Sequence, residues 1–302
     1  FFAVPTKRRI KKKSQDEPKE IKSDIEGKEI INRVWNDFIK KQHGPTERKI
    51  KEASNKYLRE ARKRYVQRFQ EQARQRNYDP KQKGFLLDWA NFIGYAIEKT
   101  QIIKVIGSVW KTQFAISGVE EMRRIFKIAR KDPFDFVGSW SNYSEILEAH
   151  SSEFIENMAD EIAQTTSREM QRLVSDGLNE GLPIKDIADL INADKRFNTN
   201  RGQLIARTEA TRLHANASLT SIKDSNSFGI TVKKGWIGNL DDDTRDSHKY
   251  LIKHYGQKEN AIYPDEYFVI KESGEKALGP GDFSSPAEVC NCRCAIKPVV
   301  ID

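Results

Sequence analysis

Between Thr46 and Asn77 the apolar residues Ile50, Ala53, Tyr57, Ala61, Tyr65, Phe69 and Ala73 recur at intervals of three and four. On a helix that spacing lays one narrow apolar stripe along a rod roughly 45–50 Å long. No other feature constrains the fold as strongly, because a rod of this length cannot bury a stripe on itself and needs a partner helix. Thr46 reads as its N-cap, with Glu47 and Glu52 near the positive end of the helix dipole. Upstream, Ile30, Ile31, Val34, Trp35, Phe38 and Ile39 predict a helix over residues 26–42, which the punctuation His43-Gly44-Pro45 is expected to end.

Charge separates the start of the chain from the rest. The 302 residues carry a formal net charge of +8. Residues 1–80 hold 23 Lys and Arg against 12 Asp and Glu, a balance of +11, so the remainder is slightly acidic at −3. A basic arm over residues 1–25 contains Lys11, Lys12 and Lys13, and the faces of the rod away from its stripe carry Arg62, Lys63, Arg64 and Arg68. These seven are the candidates for a surface lying against a polyanion such as nucleic acid, or an acidic protein, the alternative being a solvated tail and solvated faces balanced by i,i+4 pairs. No apolar run is long enough to span a bilayer, the richest stretch, Phe85–Ile97, being interrupted by Asp88, and no secretory signal peptide opens the chain. A chain that starts Phe1-Phe2 reads as a processed product or part of something longer.

The length suggests about two domains. After Tyr78-Asp79-Pro80, helices are expected over Phe85–Ile106, Val109–Ala129, Phe134–Tyr143 and Ser144–Glu180, then a Gly181-Leu182-Pro183 stop and a short helix Ile184–Ile191. A further helix, Asn200–Ser225, carries Arg207-Thr208-Glu209-Ala210. Beyond Ser227, Ile230-Thr231-Val232, Lys234–Ile237, Tyr267–Lys271 and Ala295–Ile301 look like strands. The expected fold is therefore α+β: an elongated, mainly helical region over residues 26–180, then a small α+β domain over residues 181–302 with a few strands.

Three constellations could carry chemistry. Arg207 and Glu209, two apart on a helix, diverge by about 200° and are expected to brace different neighbours. In Asp241-Asp242-Asp243-Thr244-Arg245-Asp246-Ser247-His248 the twelve-residue calcium loop is absent, since position six is Asp246 and position twelve Ile252. Asp243 is instead expected to cap a helix Thr244–Leu251 on which Arg245 and His248 share a face. His248 is a weak candidate for a general base, with Glu209 or Arg245 at a substrate, and for a metal ligand. In Cys290-Asn291-Cys292-Arg293-Cys294 an extended backbone would set the thiols about 6.5–7 Å apart, too far for one tetrahedral zinc. Only a turn would let Cys290, Cys292 and Cys294 reach one ion with His248 or His254, so the expectation is packed, reduced cysteines and no cofactor.

The order of these motifs resembles a known family. Ala206–Ala210 (ARTEA), Trp236 followed by Asp241, Thr244, Arg245 and His248, then Tyr263-Pro264, Pro280-Gly281-Asp282 and Asn291–Cys294 (NCRC) resemble the phage Mu F-like minor head, or head morphogenesis, proteins. The resemblance covers residues 178–302 and implies a structural component of the capsid interior near the portal, present in the host cytoplasm during assembly. Its implied partners are the portal protein, major capsid or scaffold proteins and packaged double-stranded DNA, and its implied work is head assembly with DNA packaging or delivery. The alternatives are a virion-carried enzyme ejected with the genome and a plain DNA-binding module. On the structural reading Arg207, Glu209, Arg245, His248, Cys292, Arg293 and Cys294 gather in one cluster tying the ARTEA helix to the last strand.

Overall fold

In the computed structural model, which describes residues 29, 31–81, 85–131 and 140–301, the predicted rod is helix α2 (Gly44–Gln75). Every residue of its stripe is buried. The partner it requires is α8 (Thr199–Asp224), the helix that carries the ARTEA motif. Helix α8 also packs against α5 (Ser108–Ile128), and α5 against α6 (Trp140–Asn179), so α8 is covered on several sides. Its buried residues are accordingly small and spread around the helix: Gly202, Ala206, Ala210, Thr211, Ala215, Ala217 and Ser221 among them.

The expected stop at His43-Gly44-Pro45 is absent. Helix α1 (residues 31–38) runs through a widened π turn, Ile39–His43, straight into α2. Proline inside a helix lacks an N–H and crowds the preceding turn. The wide turn accommodates Pro45, with the Gly44 N–H reaching back to Ile39 O, and a side chain at 44 would meet that carbonyl at 2.8 Å. A second π turn, Ile103–Gly107, joins α4 (Tyr95–Ile102) to α5, so the two helices expected on either side of residue 107 are one rod. The break comes earlier, at Gly94, whose φ of 54° ends the short α3 (Trp89–Ile93). Helix α7 is Ile184–Ala193. The Lys131-Asp132-Pro133 turn and the helix expected over Phe134–Tyr143 fall largely outside the described residues, as does the arm with Lys11, Lys12 and Lys13.

Strand β1 (Thr231–Ile237) pairs antiparallel with β4 (Ala295–Ile301), from Thr231 opposite Ile301 to Ile237 opposite Ala295. The strand expected over Tyr267–Lys271 shrinks to β2 (Phe268–Val269), paired with β3 (Lys276–Ala277). Between β1 and β4 also lie α9 (Asp246–Tyr255), ahead of β2, and α10 (Pro286–Val289), after β3. Helix α9 begins later than predicted and Asp243 does not cap it. Asp241 takes the local role instead: its Oδ1 accepts the Thr244 N–H at 3.0 Å and lies 2.9 Å from Thr244 Oγ1, closing the turn before the helix starts.

Two apolar clusters result. The larger runs from Ile50 through α5, α6 and α8 to Ile230, Val232 and Ile296, so the packing does not divide at residue 181. The smaller surrounds Trp236 and includes Leu251, Ile252, Phe268, Phe283, Val289, Cys292 and Cys294.

Part of the basic rod is spent inside the larger body. Glu98 is fully buried, and its carboxylate accepts from Arg64 at 3.0 and 2.7 Å and from Arg68 at 2.6 Å. Arg68 also donates to the carbonyls of Phe92 and Ile93 at the end of α3. Arg64 and Arg68 are therefore engaged within the fold and are not freely presented cations, because a buried carboxylate must be paired and the end of α3 needs donors. Arg62 reaches Asn192 O at 3.3 Å, and Lys63 pairs with Glu60 at the surface.

Candidate functional site

The ARTEA helix, the loop before α9 and the tail before β4 meet at one place. Asn291 adopts a left-handed backbone, φ 60°, so the segment Cys290–Cys294 is a turn and not a strand. That turn brings Cys292 and Cys294, both buried, to the same side chain. His248 Nδ1 lies 3.6 Å from Cys292 Sγ and 3.4 Å from Cys294 Sγ. Cys290 is half-buried and lines a different cleft, beside Glu209 and Arg212.

His248, 2% exposed, sits in the first turn of α9. Its Nε2 lies 3.1 Å from Glu288 Oε2, which also accepts from Ser247 Oγ at 2.8 Å. Nε2 makes no aligned hydrogen bond despite that approach, while Nδ1 faces the two sulfurs. A hydrogen bond from the neighbouring Cys294 thiol holds the Cys292 thiol well below its usual range despite burial, with His248 adding to the effect, and the same bond together with burial pushes Cys294 well up. Of the described residues, these three offer donor atoms close enough to share an ion, all within 4.8 Å of one another.

Around them the basic residues act as clamps. Arg245 donates to Cys290 O. Arg207 donates to Asn291 Oδ1 at 3.0 Å and lies 3.5 Å from Glu47, whose carboxylate is also 3.8 Å from Arg293 Nε and 3.5 Å from His43 Nδ1. Thr211, one turn beyond Arg207 on α8, donates to Cys292 O and lies 3.1 Å from His43 Nε2. From the other end of the chain, Trp35 Nε1 donates to Arg293 O at 3.0 Å.

Six of the seven residues expected to cluster are thus linked: Arg207, Arg245, His248, Cys292, Arg293 and Cys294. Glu209 is not. It points to the opposite side of α8, where Arg212 lies 3.2 Å away and in turn holds Glu161 at 2.5 Å and Gly281 O at 3.0 Å. The 200° divergence from Arg207 is the reason. Burial raises the Glu209 carboxyl to about 6, with Arg212 opposing the shift.

Several participants are invisible to motif reading. Glu47 gave a dipole signal but not its role as the acid shared by Arg207, Arg293 and His43. His43 and His214 stack at 5.7 Å between centroids, both held low by burial, His214 at about 4. Lys234, in β1, is fully buried and donates to Pro264 O at 2.9 Å and Leu278 O at 2.7 Å, fixing the loops of the Tyr263-Pro264 and Pro280-Gly281-Asp282 motifs. Burial lowers its ammonium to about 8. Alternation along a strand predicts an inward residue there, but not that it would be lysine.

Residues 168–297 match the family described as Phage Mu protein F like protein, a span that starts in α6, holds α7, α8 and α9 and ends three residues into β4. This segment is similar to the Mu F-like head proteins. The chain is 26% identical over 159 residues to the minor head protein GP7 of Bacillus phage SPP1, covering 52% of this chain and 44% of that protein. It is 33% identical over 141 residues to the NAD(+)–arginine ADP-ribosyltransferase EFV of Enterococcus faecalis, covering 47% of this chain and 26% of that one. The chain therefore spans less than half the length of either relative. No solved structure matches it. Among the described residues, no helix is long and apolar enough to cross a membrane.

Proposed function

We propose that the protein is a minor head protein of a tailed bacteriophage, bound to the portal inside the capsid and acting in head assembly and DNA packaging or delivery. The observation that carries this reading is the Mu F-like match over residues 168–297, which holds the whole His248–Cys292–Cys294 cluster. The similarity to a minor head protein supports it. So does the chemistry of the cluster, whose arginines grip backbone carbonyls and carboxylates of neighbouring elements, as parts of a scaffold do. The charge of +11 on residues 1–80 suits contact with packaged DNA through counterion release. Mass spectrometry of purified virions should find the chain, and deleting its gene should lower the yield of filled heads. Its absence from virions together with unchanged head assembly would sink the reading.

The Enterococcus relative favours a second reading, a virion-carried enzyme ejected with the genome. A catalytic group must reach its substrate. His248 and Glu209 are 2% and 4% exposed and Arg245 is tied to Cys290 O, which suits bracing better. Transfer of ADP-ribose from NAD+ to an arginine-bearing acceptor by the purified chain would decide for the enzyme.

A further inference from the structure

We propose that His248, Cys292 and Cys294 bind one zinc ion that ties α9 to the turn before β4. The sequence expectation is packed cysteines without metal, and it rests on an extended backbone at residues 290–294. The turn at Asn291 removes that premise.

The donor geometry is that of a tetrahedral site. Zinc holds imidazole nitrogen at about 2.0–2.1 Å and thiolate sulfur at about 2.3 Å, so the nitrogen-to-sulfur edge of its tetrahedron is about 3.5 Å. The edges here are 3.6 and 3.4 Å, and all three donor atoms lie within 4.8 Å of one another. Nothing in local sequence forces this, since the histidine stands 44 and 46 positions from the two cysteines. Two thiolates and an imidazole suit zinc better than magnesium or calcium, which take oxygen.

The surroundings are those of ligands. His248 presents Nδ1 to the two sulfurs, while its Nε2, which has no aligned hydrogen-bond partner, lies 3.1 Å from Glu288 Oε2, close enough for that carboxylate to become the outer partner of a metal-bound imidazole. Ser247 Oγ holds the same carboxylate oxygen in place at 2.8 Å. The Cys294 N–H points at Cys292 Sγ at 3.4 Å, a donor placed to stabilise a thiolate. The three donors line a cleft of about 160 Å³ together with Asn239, Asp241 and Arg245. Its volume leaves room for a water at the fourth position. The zinc charge and two thiolate charges cancel, so the filled site adds no net charge to the interior.

The smaller apolar cluster also has a use for a cross-link. It holds few large side chains apart from Trp236, Phe268 and Phe283, and small cores are commonly completed by a disulfide or a metal.

The test uses the full chain, purified under reducing conditions and supplied with zinc. About one zinc per chain is expected by elemental analysis. Cobalt(II) in its place should give a thiolate-to-metal charge-transfer band and the intense visible bands of a tetrahedral site. Glu288→Gln should weaken zinc binding about 10- to 100-fold, and Cys294→Ser should abolish it. Cys290→Ser should bind as the parent does, because that thiol faces another cleft. Circular dichroism checks that each variant is folded. The proposal is overturned if the parent chain holds no zinc after reconstitution, if the cobalt complex lacks the charge-transfer band, or if the Cys290 variant loses metal while the folded Cys294 variant keeps it.

Discussion

The larger apolar cluster and the smaller one around Trp236 are held together by different means. The first is built from long helices whose aromatic and aliphatic residues interlock over many turns, Tyr57, Tyr65, Phe69, Trp110 and Phe114 among them. One of its buried carboxylates, Glu98 on α4, is neutralised by Arg64 and Arg68 of α2. The second has short elements and relies on polar attachments: Glu288 to His248, Arg245 to Cys290 O, and Lys234 to Pro264 O and Leu278 O. Burial of apolar area is non-directional and tolerates change, whereas a polar attachment works only with both partners placed. Trp236, Cys292 and Cys294 of the motifs lie in this second region, while Ala206 and Ala210 of ARTEA pack in the first.

That contrast can be broken or sharpened experimentally. Phe69→Ala, in the larger core, should cost about 3–5 kcal/mol and lower the main unfolding transition in denaturant. Glu98→Ala should cost a similar amount, about 3–5 kcal/mol, by leaving two guanidinium groups without their shared partner. Trp236→Ala should act locally: hydrogen exchange is expected to rise in α9 while α2 and α8 stay protected, and equal loosening of α2 would show that the two regions unfold as one.

Acid gives an intermediate effect with two opposing parts. His214 takes its proton near 6.5 when unfolded but only at about 4 when folded, so its contribution is present above pH 6.5 and is lost as pH falls toward 4, about 3 kcal/mol in all. His43 shifts in the same direction. Glu209 opposes them: with its folded carboxyl at about 6 against an ordinary 4.5, it gains about 2 kcal/mol as pH falls through that window. Denaturation midpoints should fall on acidification, less steeply in His214→Gln and more steeply in Glu209→Gln. The smallest change belongs to Lys63→Ala, which should move stability by less than about 0.5 kcal/mol because its pair with Glu60 is exposed.

How much of this the sequence discloses depends on where each residue's partners lie. The α2 stripe is legible because its period is local. The α8 helix shows no stripe because it is buried on several faces by small residues, and its register comes only from the helices around it. The inward turn of Arg64 and Arg68 has no local sign, since Glu98 stands 34 and 30 positions away. In the site, the motif residues Arg207, Arg245, His248 and Arg293 are recognisable, but Glu47, Thr211 and Glu288 acquire their roles only through tertiary contact. The cysteine spacing misleads for a definite reason: one left-handed residue, Asn291, converts a separation too wide for an ion into one that fits.

The attachment of α1 to the Cys290–Cys294 turn also bears on the order in which the chain can fold. Trp35 finds Arg293 O across 258 positions, and Leu240 finds Asn32 across 208. Contacts between residues so far apart form late, because the intervening chain must first be ordered. On the ribosome, α1 has these partners only once residues 240 and 293 have emerged. The seam where they meet therefore closes only after the NCRC turn is made: a chain cut short before that turn leaves Trp35 and Thr211 without the carbonyls of Arg293 and Cys292 to which they donate.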